Sequence, residues 1–408
     1  MTDNPFDVGC VEPEPVDAVE HVADVPQPFA AGPAVAVGLS CIMWREAWKY
    51  GERAFRYCQL DTGHALGCLH YAAALLGWTL ADQPRVGSAT LAALLGLDRG
   101  EEFPGKRPEV TREEPELLAG FGLAGHSGTA PDYALAGLHA ATAAARWQGV
   151  ASQVDRFPMF RWPVIGEVAA ASRRGDDSGV PPLPVAIPRP QPAGLILTRR
   201  SAQRFDAVHV MPRAGFLLLL EALRPAAGGR IALLLFVQRV EGLAPGVYVL
   251  APADLQAELA ARMASRYALQ PVADLPAADA LYCLAPVESV GLRRIARSLH
   301  CHQDIAANAC IAFGMLTPFD RIVAADPAAY RDLFREAGFL GQILYLEAEA
   351  QGLRGTGIGC FFDDPVHELA ALGDGDFQTL YHFTIGLPVD DGRVETGPAY
   401  PARTDSDS

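Results

Sequence analysis

Two helical segments that are apolar on almost every face occur 275 residues apart in the chain. Residues 63–77 and 338–352 can be aligned so that glycine, leucine and alanine positions coincide. The coinciding pairs are Gly63 and Gly338, Leu69 and Leu344, Ala73 and Ala348, and Gly77 and Gly352. A helix without a polar face is expected to be buried. The match predicts two related halves with a buried central helix each, although helices rich in glycine and alanine also coincide by chance.

A proline-rich stretch divides the two segments. Six prolines fall between Val180 and Pro192, which is typical of a stiff, extended linker. We therefore expect a linker at 173–193 between a first half at 36–172 and a second half at 194–400. Residues 1–35 contain seven acidic residues and neither Lys nor Arg, so they and the short tail 401–408 are predicted to lack a packed core, with 1–35 disordered.

Charge and hydropathy restrict the class of protein. The formal net charge of −15 argues against nucleic acid as a partner, because binding its phosphates requires a basic surface. The sequence has neither the basic start of a signal peptide nor an apolar run of about 18 residues that could span a bilayer. A cytoplasmic protein acting on small molecules or proteins is expected, with no membrane partner.

The order of predicted elements favours an α+β fold. Expected strands at 231–240, 247–250 and 381–386 alternate with helices at 216–223, 252–267 and 303–316 without regular βαβ spacing. The eight cysteines form no C-x-x-C pair, so reduced thiols are expected. His300, Cys301 and His302 are direct neighbours that cannot easily face one metal ion, and no metal site is predicted.

Arg199, Arg200 and Ser201 follow a short apolar run, Gly194 to Thr198. Guanidinium groups match phosphate oxygens with paired hydrogen bonds, so this segment predicts a phosphate clamp. The alternative is a solvated strand end. Later in the chain Gly355, Gly357 and Gly359 predict a turn whose backbone amides approach a flat ligand, or a glycine-terminated helix end. Together the segments favour a phosphorylated, planar cofactor.

These segments resemble the FMN-dependent nitroreductase superfamily, and within it the SagB-type (azoline dehydrogenase-like) branch. The resemblance rests on the Arg-Arg-Ser segment, on the glycine-rich stretch, and on residues 242–248, 301–305 and 377–383. Nitroreductases are α+β homodimers in which central helices pair and FMN lies between the subunits. The resemblance therefore implies a nitroreductase-like fold whose two tandem halves form an intrachain pseudo-dimer, which is compatible with a monomer.

The resemblance also implies which residues hold the cofactor. Arg199 and Ser201, with Arg200 beside them, would bind the FMN phosphate, and Gln203 would approach the ring. The same resemblance assigns cofactor contacts to Gln303, Gly357, Ile358 and Gly359, with Arg393 as a second phosphate ligand or a surface turn residue. A dinucleotide fingerprint is excluded because its third glycine would fall on Cys360.

Lys49 and Tyr50 resemble the Lys-Tyr motif that azoline dehydrogenases use in catalysis. Lys49 would assist proton removal if burial lowered its pKa; otherwise the pair belongs to a solvated helix. The predicted function is an FMN-dependent oxidoreductase that acts on a small molecule or a modified peptide, with NAD(P)H as a candidate reductant. The alternative is a catalytically degenerate accessory protein that binds flavin or peptide. Only the second half carries the clamp, so one FMN per chain is expected.

Overall fold

The computed structural model describes residues 34–81, 86–99, 113–122, 135–145, 160–176, 190–224, 229–273, 275, 281–373 and 375–397. Most of the predicted linker, the C-terminal tail and residues 1–33 lie outside these ranges. Ala34 and Val35, which we expected to belong to the N-terminal tail, begin a strand.

The first half is built on a three-stranded sheet and one long helix. Its described strands are β1 (Ala34–Ile42), β2 (Thr79–Ala81) and β3 (Glu113–Gly122). Its described helices are α1 (Met43–Tyr50), α2 (Ala54–Leu76), α3 (Ser88–Leu94), α4 (Leu135–Ala144) and α5 (Pro163–Ala171). Strand β3 lies between β1 and β2 and is antiparallel to both. Within the described residues, a short 3-10 turn, Gly51–Arg53, joins α1 to α2.

The second half contains a larger antiparallel sheet. Its described strands are β4 (Ala232–Val237), β5 (Gly246–Leu250), β6 (Gln270–Pro271), β7 (Leu281–Pro286), β8 (Ile311–Thr317), β9 (Arg354–Ile358) and β10 (Gln378–Gly386). Over the described ranges they are ordered β6-β7-β5-β4-β8-β10-β9. Every neighbouring pair is antiparallel, which confirms the predicted α+β class.

Helices cover this second sheet. In the described part of the second half they are α6 (Ala193–Thr198), α7 (Arg213–Ala222), α8 (Ala253–Met263), α9 (Ser289–Leu299), α10 (Asp304–Asn308), α11 (Phe319–Ala325), α12 (Ala329–Glu349) and α13 (Asp363–Leu369). Helix α12 is buried along almost its entire length. Within the described residues no helix is both long enough and apolar enough to cross a membrane.

The two halves share one series of elements. In the first half the order is β1, α1, α2, β2, α3, β3, and in the second half it is β8, α11, α12, β9, α13, β10. The sheet order is the same in both, with β3 between β1 and β2 and β10 between β8 and β9. Gly77 and Gly352, which coincide in the sequence repeat, both have positive φ just after the long helix. A left-handed glycine is a common helix terminus.

Helices α2 and α12 cross at the repeat glycines. A Cβ atom on Gly63 would collide with the carbonyl oxygen of Arg335, and one on Gly338 would collide with the carbonyl oxygen of Leu60. Leu60 and Arg335 are themselves 275 residues apart, so the contact is reciprocal, as at a two-fold dimer interface. One hydrophobic core, which includes Leu66, Tyr71 and Phe339, extends across both halves. The chain forms an intrachain pseudo-dimer.

Three local predictions were wrong. Residues 303–316, expected as one helix, form the short helix α10 followed by strand β8. The glycine-rich segment after α12, expected as a turn, is strand β9, hydrogen-bonded to β10. The apolar run before Arg199, which the alternative interpretation treated as a strand, is helix α6. A further difference is that α2 is not buried all round, because Leu75 and Leu76 at its end are exposed.

Candidate cofactor cleft between the two halves

A cleft of about 710 Å³ lies between the halves. The first half contributes residues of α1 and α2: Arg45, Glu46, Trp48, Lys49, Tyr50, Tyr57, Leu60 and Asp61. The second half contributes the loop before α10, strand β9 with the residues after it, and one residue of β10: Gln303, Gly357, Ile358, Gly359, Cys360 and Tyr381. This volume is within the range of about 300–1,000 Å³ typical of small-molecule sites.

Gly357 of strand β9 and Gly359 just after it form one wall of the cleft, called here the glycine wall. Two tyrosines cover this wall. A Cβ atom on Gly357 would collide with the Tyr381 hydroxyl, and one on Gly359 would collide with the Tyr57 ring. The Gly357 amide donates a hydrogen bond to the Tyr345 hydroxyl at 2.9 Å. The expectation that backbone amides face the ligand here therefore needs correction at Gly357, whose N–H already has a partner.

Arg199 and Ser201 lie behind this wall, in contact with Tyr345. The Arg199 guanidinium carbon is 4.3 Å from the centroid of the Tyr345 ring, and the Ser201 hydroxyl is 2.9 Å from the Tyr345 hydroxyl. The next residue, Ala202, donates its N–H to the carbonyl of Gly355 at 3.1 Å. The segment therefore runs alongside β9, and the two predicted parts of the cofactor site are neighbours.

The Arg199 guanidinium is half-buried and stacks on a ring. Among the described residues no carboxylate pairs with it and no carbonyl accepts its hydrogen bonds. A stacked guanidinium keeps its in-plane N–H donors available. This is the arrangement expected of a side chain that binds an anionic ligand group.

Three other predicted cofactor residues lie outside the cleft. The Arg200 guanidinium donates to the backbone carbonyls of Leu197, Arg199 and Gly397. Gln203 is exposed. Arg393 forms a bidentate pair with Asp391, at 2.9 and 2.6 Å, and its side chain is 86% exposed. The structure places Arg393 at a surface turn, the alternative that the sequence left open.

Lys49 and Tyr50 stand at the mouth of the cleft. The Lys49 ammonium is 5.0 Å from the centroid of the Tyr50 ring, and this ring packs edge-on against Tyr57 at 4.7 Å. The hydrogen bond with Tyr50 raises the pKa of the exposed Lys49 above its usual value. The condition we set for Lys49 as a proton acceptor, a pKa lowered by burial, is therefore not met.

Sequence reasoning missed a hydrogen-bonded histidine beneath the cleft. The His64 ring lies 3.1 Å from Gln342 through Nδ1 and 3.1 Å from the Tyr381 hydroxyl through Nε2. Burial lowers the pKa of His64 to about 4, so the ring is neutral at pH 7. With Nδ1 donating to the Gln342 oxygen, Nε2 accepts the Tyr381 proton, which leaves the Tyr381 oxygen as an acceptor beside the glycine wall. The only sequence signal was a histidine within the repeat helix.

Gln303 is held next to the glycine wall. Its side-chain amide approaches the carbonyl of Cys360 at 3.5 Å, and Cys301 forms a disulfide with Cys360. The expectation of reduced thiols was therefore wrong for this pair. The reason is that the turn before α10 and the residues just after β9 bring the two Cα atoms to 5.7 Å, a usual separation for a disulfide that sequence spacing could not reveal. Among the described residues, no three His, Cys, Asp or Glu side chains gather in a metal-binding group.

The equivalent position on the other side of the pseudo-two-fold axis is closed. There Arg331, Asp332 and Arg335 of α12 occupy the places that Arg56, Tyr57 and Leu60 occupy in α2, at the same offset of 275. Arg331 pairs with Glu116 at 3.2 Å, and Arg335 also contacts this carboxylate. The remaining cavity is about 40 Å³, room for water molecules only.

Comparisons with solved structures identify the fold. The chain is similar to a protein from Anabaena variabilis assigned as a nitroreductase, with 20% identity and a TM-score of 0.57, over 87% of this chain and 69% of that one. Weaker similarities are found with the E. coli microcin synthetase McbBCD complex (17% identity, TM-score 0.36, 47% of this chain and 70% of that one). A further weak similarity is with the NADPH:FMN oxidoreductase of Vibrio harveyi (15% identity, TM-score 0.27, 52% of this chain and 79% of that one).

The chain therefore has a nitroreductase-like fold, as the sequence resemblance implied. This follows from the similarity to the Anabaena variabilis protein. The sequence matches no protein-family model and no curated protein.

Proposed function

We propose that the protein is an FMN-dependent oxidoreductase of the SagB-type branch of the nitroreductases. Its two halves would have arisen by tandem duplication, with one active cleft between them. The observation that carries the proposal is the half-buried Arg199 guanidinium, which has no acidic partner among the described residues and lies one side chain away from the glycine wall. Leaving such a charge unpaired is costly unless a ligand supplies the anion.

The donor set suits FMN. Arg199 and Ser201 would hold the phosphate, and the cleft, with Gln303 beside β9, has the volume for a planar ring system. The Tyr57 and Tyr381 side chains lie over Gly359 and Gly357, so these tyrosines, rather than bare glycine backbone, would form the surface that the ring meets. When bound, FMN supplies hydride acceptance and donation.

The chain's own residues would orient the substrate and exclude water. Tyr57 and Leu60 line the inner part of the cleft, and Trp48, Lys49 and Tyr50 line its exposed mouth. A Lys49 that stays protonated would attract or orient an electron-rich substrate group instead of removing a proton. Substrates compatible with this aromatic cleft are nitroaromatics, quinones, flavins and azoline-bearing peptides, with NAD(P)H as the proposed reductant.

A titration with FMN tests the proposal. Purified protein is mixed with FMN, and binding is followed by quenching of flavin fluorescence. Replacing Arg199 by Ala should weaken binding by about 10- to 100-fold, because a hydrogen bond to a charged group contributes roughly 1.5–3 kcal/mol. The matched control is Arg393→Ala, which removes an exposed arginine outside the cleft and should leave the affinity unchanged.

Two results would contradict the assignment. One is a wild-type protein that does not bind FMN at all, which would refute the proposed cofactor. The other is an Arg199→Ala protein that binds FMN as tightly as the wild type, which would remove Arg199 from the phosphate site while leaving the cofactor in place.

The alternative function is a binding protein that holds flavin or peptide without turnover. The tyrosines that cover the glycine wall favour it, because they narrow access to any ring bound there. Adding NADPH or NADH to the FMN-loaded protein separates the two proposals. Bleaching of the flavin absorbance in the absence of oxygen supports an oxidoreductase, and retention of the oxidised spectrum with every reductant and acceptor tried supports the binding protein.

A further inference from the structure

Asp61 is a carboxylate in the wall of the cleft that the sequence motifs did not identify. It belongs to α2 and lines the cleft together with Leu60 and Tyr381. The residue is exposed and lines the cleft. The carboxylate is therefore accessible to a ligand in the cleft.

No opposite charge in the described part of the chain pairs with Asp61. Among the described residues no ion pair or hydrogen bond engages its carboxylate. The pseudo-equivalent residue of the second half is Glu336, 275 positions later, and it pairs with Arg230 through two hydrogen bonds of 2.9 Å. The chain has thus placed an acid at both equivalent helix positions, yet the acid in the open cleft is without a partner.

Two cations, Arg45 and Lys49, line the same cleft, but neither forms an ion pair with Asp61. The titratable and charged groups that share the cleft with Asp61 are Arg45, Glu46, Lys49 and Tyr50 from α1, Tyr57 from α2 and Tyr381 from β10. Partial burial, and then the nearby Glu46, raise the pKa of Asp61 to about 6. A carboxyl with this pKa can exchange a proton near neutral pH, which is typical of general acids and bases.

We propose that Asp61 is the proton-carrying catalytic residue of the cleft. The inference rests on the proposed function. In substrate oxidation a C–H bond breaks and its hydrogen leaves as hydride for FMN, while the neighbouring N–H or O–H bond breaks and its proton passes to the Asp61 carboxylate, so that a C=N or C=O bond forms. In the reduction of a quinone the Asp61 carboxylic acid gives its proton to the quinone oxygen as the hydride arrives.

The experiment compares wild type, Asp61→Asn, Asp61→Glu and the control Glu52→Gln, an exposed acid close to the cleft but outside its lining. Each full-length protein is loaded with FMN, reduced, and reoxidised by 1,4-benzoquinone between pH 5 and pH 8. The wild-type rate should fall as the pH rises through about 6, because Asp61 then loses the proton that it donates. Asp61→Asn should bind FMN as the wild type does, react about 100-fold more slowly at pH 5 and show no such fall in rate. Asp61→Glu should retain the inflection, and Glu52→Gln should match the wild type.

A second measurement does not depend on activity. Carbon NMR of aspartate-labelled protein without cofactor should show one carboxyl that titrates near pH 6 and is missing from Asp61→Asn. If FMN binds and Asp61→Asn keeps the wild-type rate and pH profile, the role of Asp61 is refuted and the cofactor assignment stands. If wild type binds no FMN, the proposed function falls, and the role of Asp61 falls with it.

Discussion

Arg199 and Asp61 differ from the enclosed charges around them because neither forms an ion pair among the described residues. By contrast, Arg331, Arg335 and Glu336 each pair with an opposite charge. A charge held away from water without a partner destabilises the fold. A ligand anion would relieve this cost for the half-buried Arg199, and the exposed Asp61 can exchange its proton with a ligand in the cleft.

The sequence predicted some of these residues and not others. Arg199 stood out because adjacent arginines and a serine form a recognisable phosphate motif. Asp61 and His64 did not stand out, since one acid and one histidine in a helix are common, and their significance comes from the cleft that α12 and β10 close over them. The proximity of such residues depends on tertiary packing, which short motifs do not encode.

At the same scale, the buried histidines should make the free energy of unfolding depend on pH. The rings of His300 and His382 lie 4.3 Å apart, both fully buried, and burial lowers the pKa of His300 to about 4 and that of His382 well below its usual value. Unfolded histidines take up protons below about pH 6.5. The unfolded state thus binds more protons, so the free energy of unfolding should fall from pH 6.5 towards pH 4.

Urea unfolding at pH 7, 6 and 5 measures this dependence. Each buried histidine contributes about 1.4 kcal/mol per pH unit where only the unfolded form is protonated. His300→Phe should flatten the dependence, whereas replacing the exposed His139 by Gln should leave it as in the wild type. An unchanged slope in His300→Phe would mean that this ring charges in the folded protein.

At the scale of elements, periodicity failed where a strand is buried on both faces. Strand β8 lies between β4 and β10, and all its residues are buried, so it lacks the alternation of polar and apolar residues that marks a half-exposed strand. Its apolar run was therefore merged with the preceding helix. Strand β9 was missed for a different reason: glycine disfavours strands, and here pairing with β10 outweighs that preference.

The crossing of α2 and α12 should tolerate no side chain at its glycines. Gly63→Ala places a methyl group against the Arg335 carbonyl, so the helices must move apart, at a cost of roughly 1–3 kcal/mol. The control is Gly166→Ala in α5, where nothing lies within 4 Å of the added Cβ; alanine should be neutral or stabilising there by up to about 1 kcal/mol. Urea unfolding of the two variants measures the difference, and equal stabilities would contradict the close crossing.

For the molecule as a whole, the pseudo-dimer has lost its symmetry at the clefts. In a symmetric nitroreductase-like dimer the two sites are equivalent. Here one cleft has about 710 Å³, and at the equivalent position a buried network of Arg331, Arg335, Glu114 and Glu116 leaves about 40 Å³. The first half thus contributes residues of α1 and α2 to the open cleft. At the equivalent position, ion pairs between α12 and β3 fill the space.

The repeat and the fold class were predictable because they depend on glycine spacing and on helices with little polar surface, both visible in the sequence. Which cleft stays open was suggested only indirectly, by the absence of a second arginine clamp. The closure itself was not predictable, because Arg331 and Glu116 are 215 positions apart and meet only once α12 packs against β3.

The stoichiometry of bound FMN tests the central claim most directly. The protein is saturated with FMN, freed of excess ligand and denatured, and the released flavin is counted against the protein by absorbance. We predict one FMN per chain, lost in Arg199→Ala, because only the open cleft adjoins the arginine clamp. A ratio near two would mean that the position closed by Arg331 and Glu116 opens to hold a second flavin, and would contradict the single-cleft account.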